Sequence, residues 1–213
     1  MIKEVCNGES EIFPYIARVP KNFKENLPII FLLHGAGERG DGSDAQINLV
    51  EVHGFCHMFT DDAEYDCILV QPQCPEDDFW VAHVQEIKLF IEEVTAKYKA
   101  DVDRVYLTGL SMGGYGTWYT AMAFPGMFAA IIPVCGGGIP GFSEYLKMPV
   151  WAWHGDSDTC VLPSNSIDMV NAMKGWGKKN LKFSLIENCG HGVWEYAYKQ
   201  ELLDWLLAQK RGN

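Results

Sequence analysis

Three stretches of this 213-residue sequence carry side chains suited to nucleophilic chemistry. The first is Gly109-Leu-Ser-Met-Gly113, a serine with glycine two places to either side. A hydroxyl held in a tight strand-to-helix turn is exposed to a reacting carbon, and side chains at the two flanking places would collide, so glycine fits both. A serine hydroxyl is a poor nucleophile until a base takes its proton, and histidine does this near neutral pH. Of six histidines, His191 lies in Asn188-Cys-Gly-His-Gly-Val-Trp194, with glycines on both sides as at an exposed loop tip. The base in turn needs a carboxylate to orient it and stabilise its charged form. His154-Gly-Asp-Ser-Asp158 offers two. Asp158 is the preferred acid, and Asp156 reads as a turn former bonding local backbone. His34, His53, His57, His83 and His154 read as structural or surface residues.

Attack on a carbonyl also needs backbone N–H donors aimed at the developing oxyanion. Met112, directly after the serine, is one expected donor. Ala36 is the other, with Gly37 next in line, in the loop His34-Gly-Ala-Gly-Glu-Arg-Gly40. That loop also spells G-x-G-x-x-G through Gly35, Gly37 and Gly40. A dinucleotide site would require a helix to follow at once, whereas the turn cluster Asp41-Gly-Ser-Asp44 follows and would repel a phosphate. Gly35, Gly37, Trp80 and Trp194 are the candidate substrate-contacting residues, the two tryptophans as an aromatic wall; helix-start packing is the alternative for both. His53, Cys56 and His57 have the residue types of metal ligands, but no second ligand pair lies at zinc-site spacing, so neither metal nor organic cofactor is expected.

These residues need elements to position them. Strand-like apolar runs occur at Leu27–Leu33, Cys67–Val70, Arg104–Thr108, Ala129–Val134, Val150–His154 and Lys182–Glu187. Between them lie helical patterns: Val84, Ile87, Ile91, Val94 and Tyr98 share one face, and Met112 to Phe124 reads as a helix stopped by Pro125-Gly126. A further helix is expected between the last two strands, and another after His191, with Trp194, Tyr198, Leu202 and Trp205 on one face. Ile2–Val5 and Phe13–Val19 read as an antiparallel pair turned at Asn7-Gly8 or just beyond. Alternating strands and helices, the strands apolar on both faces, predict an α/β fold with a mostly parallel central sheet flanked by helices. In such sheets ligands bind at the carboxyl ends of the strands, so the residues just after each strand are the ones that matter.

Leu33-His-Gly-Ala-Gly-Glu-Arg-Gly40, Gln71-Pro-Gln73, Gly109-Leu-Ser-Met-Gly-Gly-Tyr-Gly-Thr-Trp118, Trp153-His-Gly-Asp-Ser-Asp158 and Gly190-His-Gly-Val-Trp194 together resemble the α/β-hydrolase superfamily. Within it the chain is similar to the compact carboxylesterase branch, near the phospholipase/carboxylesterase and feruloyl or acetylxylan esterase families. Dienelactone hydrolases proper use a cysteine where this chain has Ser111. The resemblance implies a serine esterase with Ser111, Asp158 and His191 as its triad, in the chain order Ser, Asp, His. Only about fifteen residues separate the strands at 129–134 and 150–154, too few for a cap domain, so an open site for small, aryl or acyl-sugar esters is expected. A thioesterase or serine peptidase using the same triad is the alternative, and a non-catalytic binding protein on a hydrolase fold the remoter one.

Length and composition bound the rest. At about 150 residues per domain, 213 residues imply one domain, residues 1–213. The net charge of −11 opposes broad nucleic-acid binding and an anionic membrane surface. No Asp, Glu, Lys, Arg or His occurs from Val105 to Ser143, but nine glycines and three prolines make this a buried centre and not a membrane span. Seven cysteines without a C-x-x-C pair read as buried small hydrophobes in a reducing compartment, and no secretory signal is visible, so the cytoplasm is the expected location. The expected partner is a small-molecule ester; the oligomeric state is left open, a homodimer included.

Overall fold

The structure is a computed structural model that describes residues 1–8 and 12–212. Its strands are β1 (Ile2–Cys6), β2 (Tyr15–Val19), β3 (Ile29–Leu33), β4 (Ile68–Pro72), β5 (Val105–Leu110), β6 (Ala130–Val134), β7 (Val150–Gly155) and β8 (Leu181–Ile186). They form one sheet in the order β1-β2-β4-β3-β5-β6-β7-β8. From β4 to β8 the pairing is parallel, and β1 and β2 join antiparallel at one edge. This is the expected fold class. The turn expected at Asn7-Gly8 or just beyond runs into residues 9–11, outside the described residues.

The sheet is buried on both faces because its central strands alternate between two cores. Ile29, Phe31, Leu33, Val105 and Leu107 point to one side, where helices α1 (Val84–Lys97), α2 (Met112–Ala123) and α3 (Ser164–Gly175) pack. Ile30, Leu32, Tyr106 and Ile132 point to the other, covered by Phe55, Phe59, α4 (Trp194–Ala197) and α5 (Gln200–Leu207). The uncharged stretch from Val105 to Ser143 contains β5, α2 and β6, and α2 is buried on almost every side because it lies between the sheet and α1. The residues between β6 and β7, 135–149, hold one 3-10 turn, Pro140–Tyr145.

Two expectations are corrected here. The single helix expected after His191 is broken at Tyr198 and Lys199. Lys199 is extended, and its carbonyl accepts the N–H groups of Leu202 and Leu203 to start α5 afresh. The side chain of Tyr198 turns under the sheet, where its hydroxyl meets Thr108 Oγ1 at 3.0 Å. Nor are all seven cysteines buried: Cys160 is exposed and Cys6 half-buried, and all seven are free thiols. Among the described residues, no helix is long and apolar enough to cross a membrane.

Candidate active site

Ser111 stands between the end of β5 and the start of α2 with φ 54° and ψ −116°, a conformation a non-glycine residue adopts only under constraint. The constraint is the close approach of backbone on both sides. A Cβ on Gly109 would lie 2.3 Å from the Gly113 carbonyl oxygen, and one on Gly113 would lie 1.9 Å from the Leu33 carbonyl oxygen. Without side chains at these two places, β5, α2 and β3 close on one another. The Ser111 N–H donates to Val134 O at 2.9 Å, tying the turn to the next strand.

The hydroxyl of Ser111 lies 2.8 Å from His191 Nε2, and His191 Nδ1 lies 2.7 Å from Asp158 Oδ2. One neutral tautomer satisfies both contacts: Nδ1–H donates to the carboxylate, which leaves Nε2 free to accept the serine proton. Asp158 is buried, and its other oxygen accepts the N–H groups of Cys160 at 2.9 Å and Val161 at 3.0 Å. Burial alone would raise its pKa, but the bonds from His191, Val161 and Cys160 outweigh it and hold the carboxyl below the usual aspartate value. His154, fully buried, stands behind it with Nε2 at 3.3 Å from Asp158 Oδ2 and 2.9 Å from Val161 O. Asp156 is exposed and accepts only the neighbouring Ser157 hydroxyl, at 2.7 Å. Of the two acids, Asp158 is the one that faces the imidazole.

Leu33 at the end of β3 pairs with Gly109, so the loop that follows β3 runs alongside the serine turn. Ala36 opens the 3-10 turn Ala36–Glu38 and Met112 opens α2. The first N–H of a helix has no acceptor within it, so neither N–H is used by its own turn. His34 locks this loop. Its Nε2 accepts the Cys74 N–H at 2.9 Å and its Nδ1–H donates to Gly35 O at 2.5 Å. Burial pushes its pKa down to about 4 against the opposing Gly35 bond, so it is neutral near pH 7.

The candidate substrate contacts divide. Trp80 is corrected: it is fully buried, and its indole N–H donates to His34 O at 3.0 Å, so it props the loop from beneath and does not line an open wall. Gly35 is likewise interior, against Glu38 and Leu110, whereas Gly37 is exposed in the same turn. Trp194 is half-buried, its ring edge-on to His191 at 5.3 Å and 5.1 Å from His53. Glu38 escaped notice in the sequence. Its buried carboxylate lies 3.9 Å from His34 Nδ1 and 3.8 Å from His53 Nε2. Burial raises its pKa above the usual value and His53 partly opposes this. An acidic residue in a glycine-rich loop carries no sign of such burial. Two groups among the described residues could present three metal-ligating atoms: Cys135, Asp158 and His191, which include the hydrogen-bonded chain itself, and His53, His57 and Glu195.

Comparison with known proteins adds three likenesses. No family model matches the sequence. A bifunctional acetylxylan esterase/xylanase of Neocallimastix patriciarum is 26% identical over 147 residues, 65% of this chain and 20% of that protein. The crystal structure of a thermostable esterase superposes with a TM-score of 0.81 at 30% identity, over 99% of this chain and 63% of that one. The feruloyl esterase module from Clostridium thermocellum, complexed with sinapinate, superposes with a TM-score of 0.71 over 98% of this chain and 88% of that one; at 19% identity it speaks to the fold alone. The chain thus spans a fifth of the length of the first relative and under two thirds of the first structure.

Proposed function

We propose that this chain, whose α/β-hydrolase fold is similar to that of the compact esterases, is a serine carboxylic-ester hydrolase acting through an acyl-enzyme. The observation that carries this reading is the unbroken chain Ser111 Oγ–His191 Nε2–Asp158, at 2.8 and 2.7 Å, on a strained serine turn. Ser111 Oγ attacks the ester carbonyl carbon as His191 Nε2 takes its proton. The carbonyl oxygen becomes an oxyanion between the Met112 and Ala36 N–H groups. Collapse breaks the ester C–O bond, and His191 gives its proton to the departing alcohol. Water then attacks the acyl-enzyme with His191 again as base, and the carboxylic acid leaves Ser111 free. Asp158, held by three donors, keeps the imidazole in the working tautomer. These side chains supply every proton transfer the reaction needs.

The substrates we propose are acetyl or aryl esters of sugars, or similarly small esters. Support comes from the acetylxylan esterase relative and from Trp194, a half-exposed aromatic face beside His191. The absence of a cap between β6 and β7 suits extended substrates. The seven free thiols support a reducing, cytoplasmic setting.

The test is a side-by-side assay of p-nitrophenyl acetate, methyl ferulate, an acetylated xylooligosaccharide, an acyl-CoA and a peptide amide, with fluorophosphonate labelling of the folded protein. Ester turnover that falls toward acid pH, with one label lost in Ser111→Ala, is expected. Faster acyl-CoA or amide turnover would move the reading to a thioesterase or peptidase. Absence of labelling would return it to a silent binding protein.

A further inference from the structure

The region beside the histidine loop holds a second group of metal-binding side chains that the ester chemistry does not use. We propose that His53, His57 and Glu195 form a site for one divalent transition-metal ion of the zinc class, apart from the reacting atoms. Their donor atoms lie within 4.8 Å of one another, and His53 Nδ1 is 3.8 Å from Glu195 Oε1. Around a tetrahedral zinc with arms of about 2.0–2.2 Å, neighbouring donors stand roughly 3.3–3.5 Å apart, so a small rotation of the exposed His57 and Glu195 side chains completes the cage.

Two further features point at a ligand. His53 Nδ1 is buried and has no hydrogen-bond partner among the described residues, although it lies 3.8 Å from Glu195 Oε1. On the opposite edge of the same ring, Glu38 Oε1 lies 3.8 Å from His53 Nε2, and the Glu38 side chain is only 10% exposed, with Oε2 unpartnered. A carboxylate behind the distal nitrogen of a histidine is the arrangement that fixes a metal-binding tautomer and strengthens the ligand. At 3.8 Å this carboxylate stands just beyond hydrogen-bond length, and its closer approach to Nε2–H would leave Nδ1 as the acceptor that an ion needs.

The two histidines are four residues apart, on and just before the 3-10 turn Phe55–His57, and the carboxylate comes from α4 across the space. That carboxylate supplies what the sequence lacked when His53, Cys56 and His57 were considered without a second ligand source. Cys56 is not a ligand: its thiol is turned away onto Glu51 O at 2.9 Å and His53 O at 3.2 Å. Two imidazoles and one carboxylate suit zinc, nickel or copper, whereas magnesium and calcium favour all-oxygen cages. His57 and Glu195 also line a cleft of about 590 Å³, open to solvent, which gives the ion a way in. A bound ion would clamp the Phe55–His57 turn to α4, directly beyond the loop that carries His191.

The site is tested by calorimetric titration of Zn²⁺ into the chelator-stripped full chain, with Co²⁺ absorption as a report of tetrahedral coordination. One ion per chain is expected, at roughly micromolar Kd. Affinity should fall at least about tenfold in His57→Ala and in Glu195→Gln and stay unchanged in Asp158→Asn, which belongs to the other ligand group. Both substituted residues are exposed, and unchanged far-UV circular dichroism verifies that the variants fold. Equal Zn²⁺ affinity in the wild type and both variants would overturn the site, as would loss of binding in Asp158→Asn or no saturable uptake below about 100 µM. None of these readouts depends on the ester reaction.

Discussion

Ser111 and His191, the proposed nucleophile and its proposed base, are held by opposite means. Around Ser111, backbone meets backbone: Gly113 has no room for even one carbon, and the flanking Gly109, Leu110, Met112 and Gly114 are all buried and uncharged. Around His191 there is open space: a Cβ on Gly190 or on Gly192 would meet no atom within 4 Å. The imidazole is placed instead by its bond to a buried carboxylate, itself fixed by the Cys160 and Val161 N–H groups. The serine is therefore positioned by packing and the histidine by hydrogen bonding. Steric placement tolerates no added volume, whereas hydrogen-bonded placement tolerates volume but not the loss of a charge.

Substitutions on each side should break that contrast in distinct ways. The largest effects fall on the reacting groups. Ser111→Ala and His191→Ala should each lower kcat about a millionfold and Asp158→Asn about ten-thousandfold, with little loss of thermal stability. Asp156→Asn should stay within about twofold, because its side chain meets only Ser157; a larger loss at 156 than at 158 would reverse the assignment of the acid. Next comes the steric side. Gly113→Ala should destabilise by about 3 kcal/mol or more, or fail to fold, while Gly192→Ala should change urea-unfolding stability by less than about 1 kcal/mol.

A pH effect follows from His34. Its folded pKa is about 4 against a usual value of 6.5, so between these values the unfolded chain binds a proton that the native chain does not. Stability should fall as pH drops from 6.5 toward 4, by about 3 kcal/mol across that window. His34→Gln should flatten that part of a pH series of urea melts. A smaller loss is expected at Trp80→Phe, which removes the donor to His34 O and should cost about 1–2 kcal/mol. Because that bond props the Ala36 loop, kcat for esters should fall with KM unchanged.

What was legible in the sequence follows from the same contrast. Continuous apolar runs announce strands buried on both faces, so the sheet and its order of elements could be read. The glycines around Ser111 are legible because sterics leave no other residue there. Trp80 packs at the start of a 3-10 turn, the alternative to the aromatic wall, and the acidic run Glu76-Asp-Asp78 before it gives no sign of that burial. Phe79 does face solvent, at 53% exposure, but the next residue swings inward to meet His34. The break at Lys199 has no glycine or proline to mark it. Nor can spacing along the chain show that Glu195 reaches His53, or that Glu38 is buried between two histidines.

The hydrogen-bonded chain also constrains the order in which the molecule gains its competence. Ser111 and His191 are 80 residues apart and His191 and Asp158 are 33 apart, so neither bond can form locally. Contacts of such long range close late, after β5 to β8 have come into register. On refolding, helical signal should return before fluorophosphonate reactivity, with the interval set by loop closure and sheet alignment. Until those contacts close, Ser111 is without the base that the proposed reaction needs.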